Sequence, residues 1–179
     1  METTITRSLL RSSGRLAASL MVAAAAGTVM ATAEPAAAAR TCIGSLKNTT
    51  VSGDLYVPAG STCTAYGVDV HGSIQVARGA TLRFSTGDVD SDVQGESAPH
   101  TVSVYNSTVE GDVQAKSARY VKVQGSVIGG DAQVEKNRYW QRIYGNTIGG
   151  NLDCTENNPA PVGSGNRVYG SKTGQCRGL

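Results

Sequence analysis

The sequence predicts an all-β chain wound into a single parallel β-helix. Three observations lead there: a glycine-rich, charge-poor composition, a motif that returns every 19 or 20 residues, and four cysteines spaced by the same period. Of 179 residues, 22 are glycine, 17% are charged and 5% are aromatic. Ordinary soluble domains carry ~7% Gly and ~25% charged residues. The balance therefore argues against a coiled coil, a charged helical bundle or a charge-driven disordered chain. The length leaves room for one domain with a leader or tail.

Residues 1–39 read as a secretory signal peptide. Arg7, Arg11 and Arg15 form a basic start, and Leu16 to Met30 form a run of small apolar residues. Ala31-Thr32-Ala33 and Ala37-Ala38-Ala39 both match a cleavage pattern. The apolar run is too short to span a bilayer, and Glu34-Pro35 interrupts it. Without this leader, residues 40–179 hold 13 basic and 12 acidic side chains, a net charge of +1. That balance does not suit a nucleic-acid binder. The expectation is a secreted, extracellular protein, cell-wall associated in one variant of that reading, with no nucleic-acid partner and no membrane insertion once the leader is gone.

The repeat begins at Val51-Ser-Gly-Asp and returns at Val70-His-Gly-Ser, Val89-Asp-Ser-Asp, Val109-Glu-Gly-Asp, Ile128-Gly-Gly-Asp and Ile148-Gly-Gly-Asn. A degenerate seventh copy starts at Val168-Tyr-Gly-Ser, and the intervals are 19, 19, 20, 19, 20 and 20 residues. Between copies a second pattern alternates inward and outward positions: Cys63-Thr-Ala65, Leu82-Arg-Phe84, Val102-Ser-Val104, Val121-Lys-Val123 and Gln141-Arg-Ile143. Pro58-Ala-Gly60, Gly79, Ser85-Thr-Gly87 and Gly125 supply turns. A unit this small cannot bury its own apolar face, but stacked units can, by placing Val on Val and Leu on Ile. Rungs ~4.8 Å apart make six to seven coils a rod of roughly 30 Å. A left-handed hexapeptide helix needs three equal hexads per coil, a shorter period than this one, so a right-handed helix is preferred. The domain is 40–179, with repeats over 48–153 and a C-terminal cap over 154–179.

Cys42, Cys63, Cys154 and Cys176 all fall in the exported part, where disulfides form. Separations of 21 and 22 residues, about one coil each, place Cys42 beside Cys63 and Cys154 beside Cys176 on neighbouring rungs. The other connectivities would join cysteines several rungs apart, beyond the ~7 Å Cα limit. Pairing Cys42–Cys63 and Cys154–Cys176 clamps both ends, where a solenoid exposes unpaired strands. Pro159 and Pro161 add residues that cannot donate to a ladder. With no C-x-x-C motif and no Cys/His cluster, neither a metal nor a cofactor is expected.

The V-x-G-[DN]-[VL] coils and the end segment Cys154-Thr-Glu-Asn-Asn-Pro-Ala-Pro…Gly165-Asn166…Gly174-Gln175-Cys176 carry a resemblance. Over residues 42–176 the chain resembles short secreted bacterial β-solenoid proteins of uncharacterised function. More weakly, it is similar to bactofilin-type β-helices, which are intracellular and lack these cysteines. The resemblance implies a fold and no catalytic residues.

Three sets of columns run along the coils. Asp54, Ser73, Asp92, Asp112, Asp131, Asn151 and Ser171 form the first. Oxygens from adjacent turns suit calcium; alternatively they accept backbone N–H groups in the turn after Gly. Free interchange with Ser and Asn favours the turn. Gln75, Gln94, Gln114 and Gln133 suit an outward amide ladder. On the second strand, Thr64, Arg83, Ser103, Lys122 and Arg142 form one outward column and Tyr66, Ser85, Tyr105, Gln124 and Tyr144 its neighbour. Tyrosines ~10 Å apart on alternate rungs suit stacking on sugar rings, with the cations attracting an anionic wall polymer. The plainer alternative is that Tyr is a good exposed strand former and the cations solubilise. Tyr139-Trp140 reads as an apolar bulge over the last coils, while His71 and His100 stand isolated.

No insertion longer than one residue separates the coils, so no catalytic cleft is expected. The leading expectation is a secreted, non-enzymatic rod with a structural or cell-surface role, monomeric with self-association as the alternative. The second is a cell-wall or polysaccharide-binding module using Tyr66, Tyr105, Tyr144, Arg83, Lys122 and Arg142. A polysaccharide-acting enzyme ranks third.

Overall fold

A computed structural model describes residues 38–179, so the expected signal peptide lies outside the described residues except for its last two positions. These residues form a parallel β-solenoid of about seven turns. Among the described residues no helix is present, and none is long and apolar enough to cross a membrane. Each complete coil contributes three strand segments, each paired in parallel with its counterpart one coil away.

The first sheet has eight strands: Arg40–Thr41, Leu55–Val57, Ile74–Val76, Val93–Gly95, Val113–Lys116, Ala132–Glu135, Leu152–Thr155 and Lys172–Gly174. The second face is built from Gly44–Val51, Thr62–Val70, Thr81–Ser85, Thr101–Tyr105, Tyr120–Gln124, Trp140–Tyr144 and Val162–Ser164. The third face adds Asp88–Val89, Thr108–Val109, Val127–Ile128, Thr147–Ile148 and Arg167–Val168. Second and third faces count as one 12-stranded sheet because Thr62–Val70 runs unbroken through a corner that later coils interrupt, pairing with both Thr81–Ser85 and Asp88–Val89. Residues 154–179, expected as a cap, contribute the last three strands and so close the final turn.

The repeat motif is the corner between the third face and the first sheet. Its opening Val or Ile ends the third face pointing inward, and the apolar residue four positions on begins the first sheet, also inward. Val51, Val70, Val89, Val109, Ile128 and Ile148 are buried, as are Leu55, Ile74, Val93, Val113, Ala132 and Leu152. The second face adds Leu82, Val102 and Val121, and beside them Ala65, Phe84, Val104, Val123 and Ile143. Each fully buried aliphatic side chain contributes about 1.5–3 kcal/mol, and stacking in register repeats that gain on every rung. Phe84, the single phenylalanine, is accommodated by Gly87, where an added Cβ would meet the ring at 2.9 Å.

Each corner carries a side-chain ladder that serves the backbone. In the acidic column, Ser73 N–H donates to Asp54 Oδ1 at 2.9 Å, Asp112 N–H to Asp92 Oδ1 at 2.8 Å and Asp131 N–H to Asp112 Oδ1 at 2.7 Å. Asn151 N–H and Ser171 N–H continue it onto Asp131 and Asn151. The backbone-capping expectation therefore holds with one correction: the N–H served belongs to the equivalent residue one coil later, not to the same turn. At the second corner Gly87, Ser107, Ser126 and Asn146 N–H groups donate to Ser107, Ser126, Asn146 and Asn166 side chains in turn. At the third, Ala118, Asn137 and Asn157 N–H groups donate to Asn137, Asn157 and Gln175.

The chain turns these last two corners through left-handed residues, which recur in register: Thr86 and Asn106 at one, Ala98, Ser117, Lys136 and Glu156 at the other. Both disulfides form as the spacing requires, Cys42–Cys63 and Cys154–Cys176, with Cα separations of 5.5 and 5.3 Å. All four cysteines are buried beneath the first and last coils.

Candidate functional site

The second face is where the sequence and the fold converge. Five strands, Thr62–Val70 through Trp140–Tyr144, pair in unbroken register and alternate inward and outward, so three outward columns run parallel to the solenoid axis. The middle column is Thr64, Arg83, Ser103, Lys122 and Arg142, and one flank is Tyr66, Ser85, Tyr105, Gln124 and Tyr144, both as expected. Within the tyrosine flank, Tyr66 is 50% exposed, but Ser85 and Gln124 separate the rings. Tyr105 has one ring face occupied, with Lys122 Nζ 4.3 Å from its centroid. Tyr105 thus orients a cation, and the three tyrosines do not form a continuous platform.

The other flank is Thr62, Thr81, Thr101, Tyr120 and Trp140, and here the aromatic rings touch. Tyr120 lies 5.1 Å from Trp140, 5.4 Å from Tyr139 and 5.3 Å from His100, centroid to centroid. The Arg142 guanidinium sits 4.9 Å from the Trp140 ring. Tyr139 is an extra residue in its coil, held at φ 68°, so the bulge expected of Tyr139-Trp140 is confined to Tyr139. Its effect is to leave Trp140 in regular strand register beside Tyr120. His100 is not isolated: its Nδ1 lies 3.0 Å from Thr101 Oγ1, and it lines an open groove of about 510 Å³ with Arg83, Ser103, Tyr120, Lys122 and Trp140. Beyond this flank, backbone hydrogen bonds stack Arg119 over His100 and Arg138 over Arg119.

Sequence reading missed this flank because the strands were bounded at their first apolar residue. The signal was present: extending the alternation back two residues from Arg83, Ser103, Lys122 and Arg142 reaches Thr81, Thr101, Tyr120 and Trp140. The Gln column is in register as expected, and the hydrogen bond formed there runs from Gln94 Nε2 to Asp92 at 3.1 Å rather than between amides.

Charge is sorted between faces. Over the segments Thr62–Tyr66, Thr81–Ser85, Thr101–Tyr105, Tyr120–Gln124 and Trp140–Tyr144, the fifteen positions of the three columns hold five aromatic residues, three cations and no carboxylate. Asp69 and Asp88 lie side by side on the third face, followed by exposed Asp90 and Glu110 at its edge. Among the described residues one salt bridge forms, Lys116 to Glu96 at 2.7 Å, at the end of the first sheet. That hydrogen bond raises the Lys116 pKa. Lys122, Arg142 and Arg119 therefore meet aromatic rings, and Arg83 and Arg138 meet solvent, rather than carboxylates.

Comparison with known proteins finds no match: no family model, no curated protein and no solved structure.

Proposed function

We propose that the protein is an exported, non-enzymatic solenoid rod that acts at the cell surface or in the surrounding matrix by holding an extended polysaccharide against its second face. The observation that carries this reading is the carboxylate-free array of five aromatic residues and three cations in three columns of a regularly registered sheet. Aromatic rings offer apolar faces that stack on sugar rings, and polar strand neighbours such as Ser103 and Gln124 supply hydrogen bonds. Export is supported by two disulfides, which persist in oxidising compartments, and by the leader pattern of residues 1–39. A non-enzymatic role is supported by the use made of the repeated carboxylates: Asp92, Asp112 and Asp131 are engaged in holding the next coil's backbone.

The test is co-sedimentation of the purified, oxidised protein with insoluble bacterial wall polymer, cross-linked pectate, chitin and cellulose. Retention on at least one is expected, reduced at least tenfold by Tyr120→Ala with Trp140→Ala. Retention on none overturns the binding role and leaves a rod with a purely structural one.

A further inference from the structure

We infer that the polysaccharide is acidic and lies parallel to the solenoid axis along the Thr101–Tyr120–Trp140 column, its acid groups taken by cations on both sides; this rests on the polysaccharide reading above. Two lines of positive charge flank that aromatic column. On one side, Arg83, Lys122 and Arg142 occupy one outward column of consecutive strands, with Ser103 between the first two. On the other, Arg119 and Arg138 stack above His100 at the corner. Both lines run along the axis and so does the aromatic column. A chain crossing the face along a strand would meet one cation of the middle line, whereas an axial chain meets all three.

The rings hold the cations ready. Lys122 lies over Tyr105, Arg142 over Trp140 and Arg119 over Tyr139 at 6.0 Å. Such contacts contribute ~0.5–1 kcal/mol at exposed sites, enough to restrict long side chains whose ordering otherwise opposes binding. No carboxylate on the face competes for them, so the charge left unneutralised calls for a polyanion. Neutral glycans would need the rings alone and would leave both cation lines unused. Spacing sets the scale: Arg83 and Arg142 are three rungs apart, ~14 Å at ~4.8 Å per rung, so a ligand must extend over several sugar units to engage the whole line.

The experiment is titration of the oxidised protein with polygalacturonate, phosphorylated dextran and hydroxyethylcellulose at low and at 0.5 M salt. The first two probes separate carboxylate from phosphate, and the third is neutral. Binding to at least one acidic polymer is expected to be tenfold or more tighter than to the neutral one and to weaken with salt, since exposed charges are screened. Arg83→Gln/Lys122→Gln/Arg142→Gln should weaken it at least tenfold. A control of equal charge loss elsewhere, Arg40→Gln/Arg167→Gln/Arg177→Gln, should stay within twofold. Equal losses in the two triple variants would show net charge, not this site, and overturn the inference. Equal affinity for the neutral polymer overturns acidity while the polysaccharide reading stands. Binding to none of the three, nor to the insoluble polymers, overturns both. Where polygalacturonate binds, digalacturonate is too short to join Arg83 to Arg142, and affinity equal to that of the polymer overturns the axial placement.

Discussion

A methyl group on Gly72 would sit 2.5 Å from Asp54 Oδ1, because that carboxylate lies over the glycine to accept the N–H of Ser73 at 2.9 Å. The same obstruction recurs one coil at a time: Asp92 over Gly111, Asp112 over Gly130, Asp131 over Gly150 and Asn151 over Gly170. The glycine of the repeat is thus required by the acidic residue of the coil before it. One coil departs from the rule and explains itself. Ser91 stands where the others have glycine, and the residue beneath is Ser73, whose shorter side chain reaches Asp92 N–H at 3.4 Å.

Coupling between coils follows from that exception. Gly130→Ser forces its Cβ into the Asp112 carboxylate and should cost about 1–3 kcal/mol, the usual penalty for overpacking. Asp112→Ser alone weakens one backbone hydrogen bond, at about 1 kcal/mol. The double variant recreates the Ser73–Ser91 arrangement, so its loss should be at least 1 kcal/mol smaller than the sum of the two. Urea unfolding of the three variants measures this, and strict additivity would sink the steric account.

Asn146 uses both ends of its side-chain amide within the buried ladder. Its Oδ1 accepts Ser126 N–H at 3.0 Å, and its Nδ2 reaches Val123 O and Asn166 Oδ1, both at 2.9 Å. Asn146→Ala leaves the buried Ser126 N–H without its partner, at ~1–3 kcal/mol, and removes a second bond to the strand carbonyl of Val123, so a loss of about 3 kcal/mol is expected by chemical denaturation. A loss below ~1 kcal/mol would mean that water enters the corner.

Gln141 presents the opposite case. It stands in the inward column after Leu82, Val102 and Val121, is 1% exposed, and its Oε1 has no partner. Its Nε2 makes one bond, to Arg138 O at 3.2 Å. Gln141→Leu keeps the volume and removes the unsatisfied oxygen, so stability should rise by about 1 kcal/mol. A melting temperature lower than the parent's would show that the bond to Arg138 matters more than the stranded oxygen.

The disulfides close loops of 21 and 22 residues at the two ends. Cys42→Ala/Cys63→Ala and Cys154→Ala/Cys176→Ala should each cost about 3 kcal/mol, or roughly 10 °C in Tm. A shift of ~2 °C or less at either end would show that the end coil is held by its hydrogen bonds alone.

Much of this architecture was legible in the chain because a solenoid repeats one local problem. Val51, Val70 and Val89 recur at the coil period since each must land on the one before, and cysteines one coil apart must be neighbours. The aromatic cluster was harder to read. Tyr120 follows a turn and precedes the first apolar residue of its strand, and the extra residue Tyr139 shifts Trp140 by one place against its counterparts. Tyr120 and Trp140 are neighbours by strand register, but the contacts of His100 and Tyr139 with Tyr120 depend on a corner conformation that no alternation pattern encodes.

The period, the strand columns, the cysteine pairing and the outward line of Arg83, Lys122 and Arg142 follow from residue spacing alone, because register in a stacked sheet is counted in residues. Three-dimensional packing sets which coil each carboxylate serves, why Gly130 must lack a side chain, that non-glycine residues such as Thr86 and Lys136 turn corners at φ 54° and 55°, and that His100, Tyr120, Tyr139 and Trp140 meet. Those outcomes turn on distances of a few tenths of an ångström between adjacent rungs. They arise from backbone geometry at the corners, where the periodic signal that made the rest readable is broken.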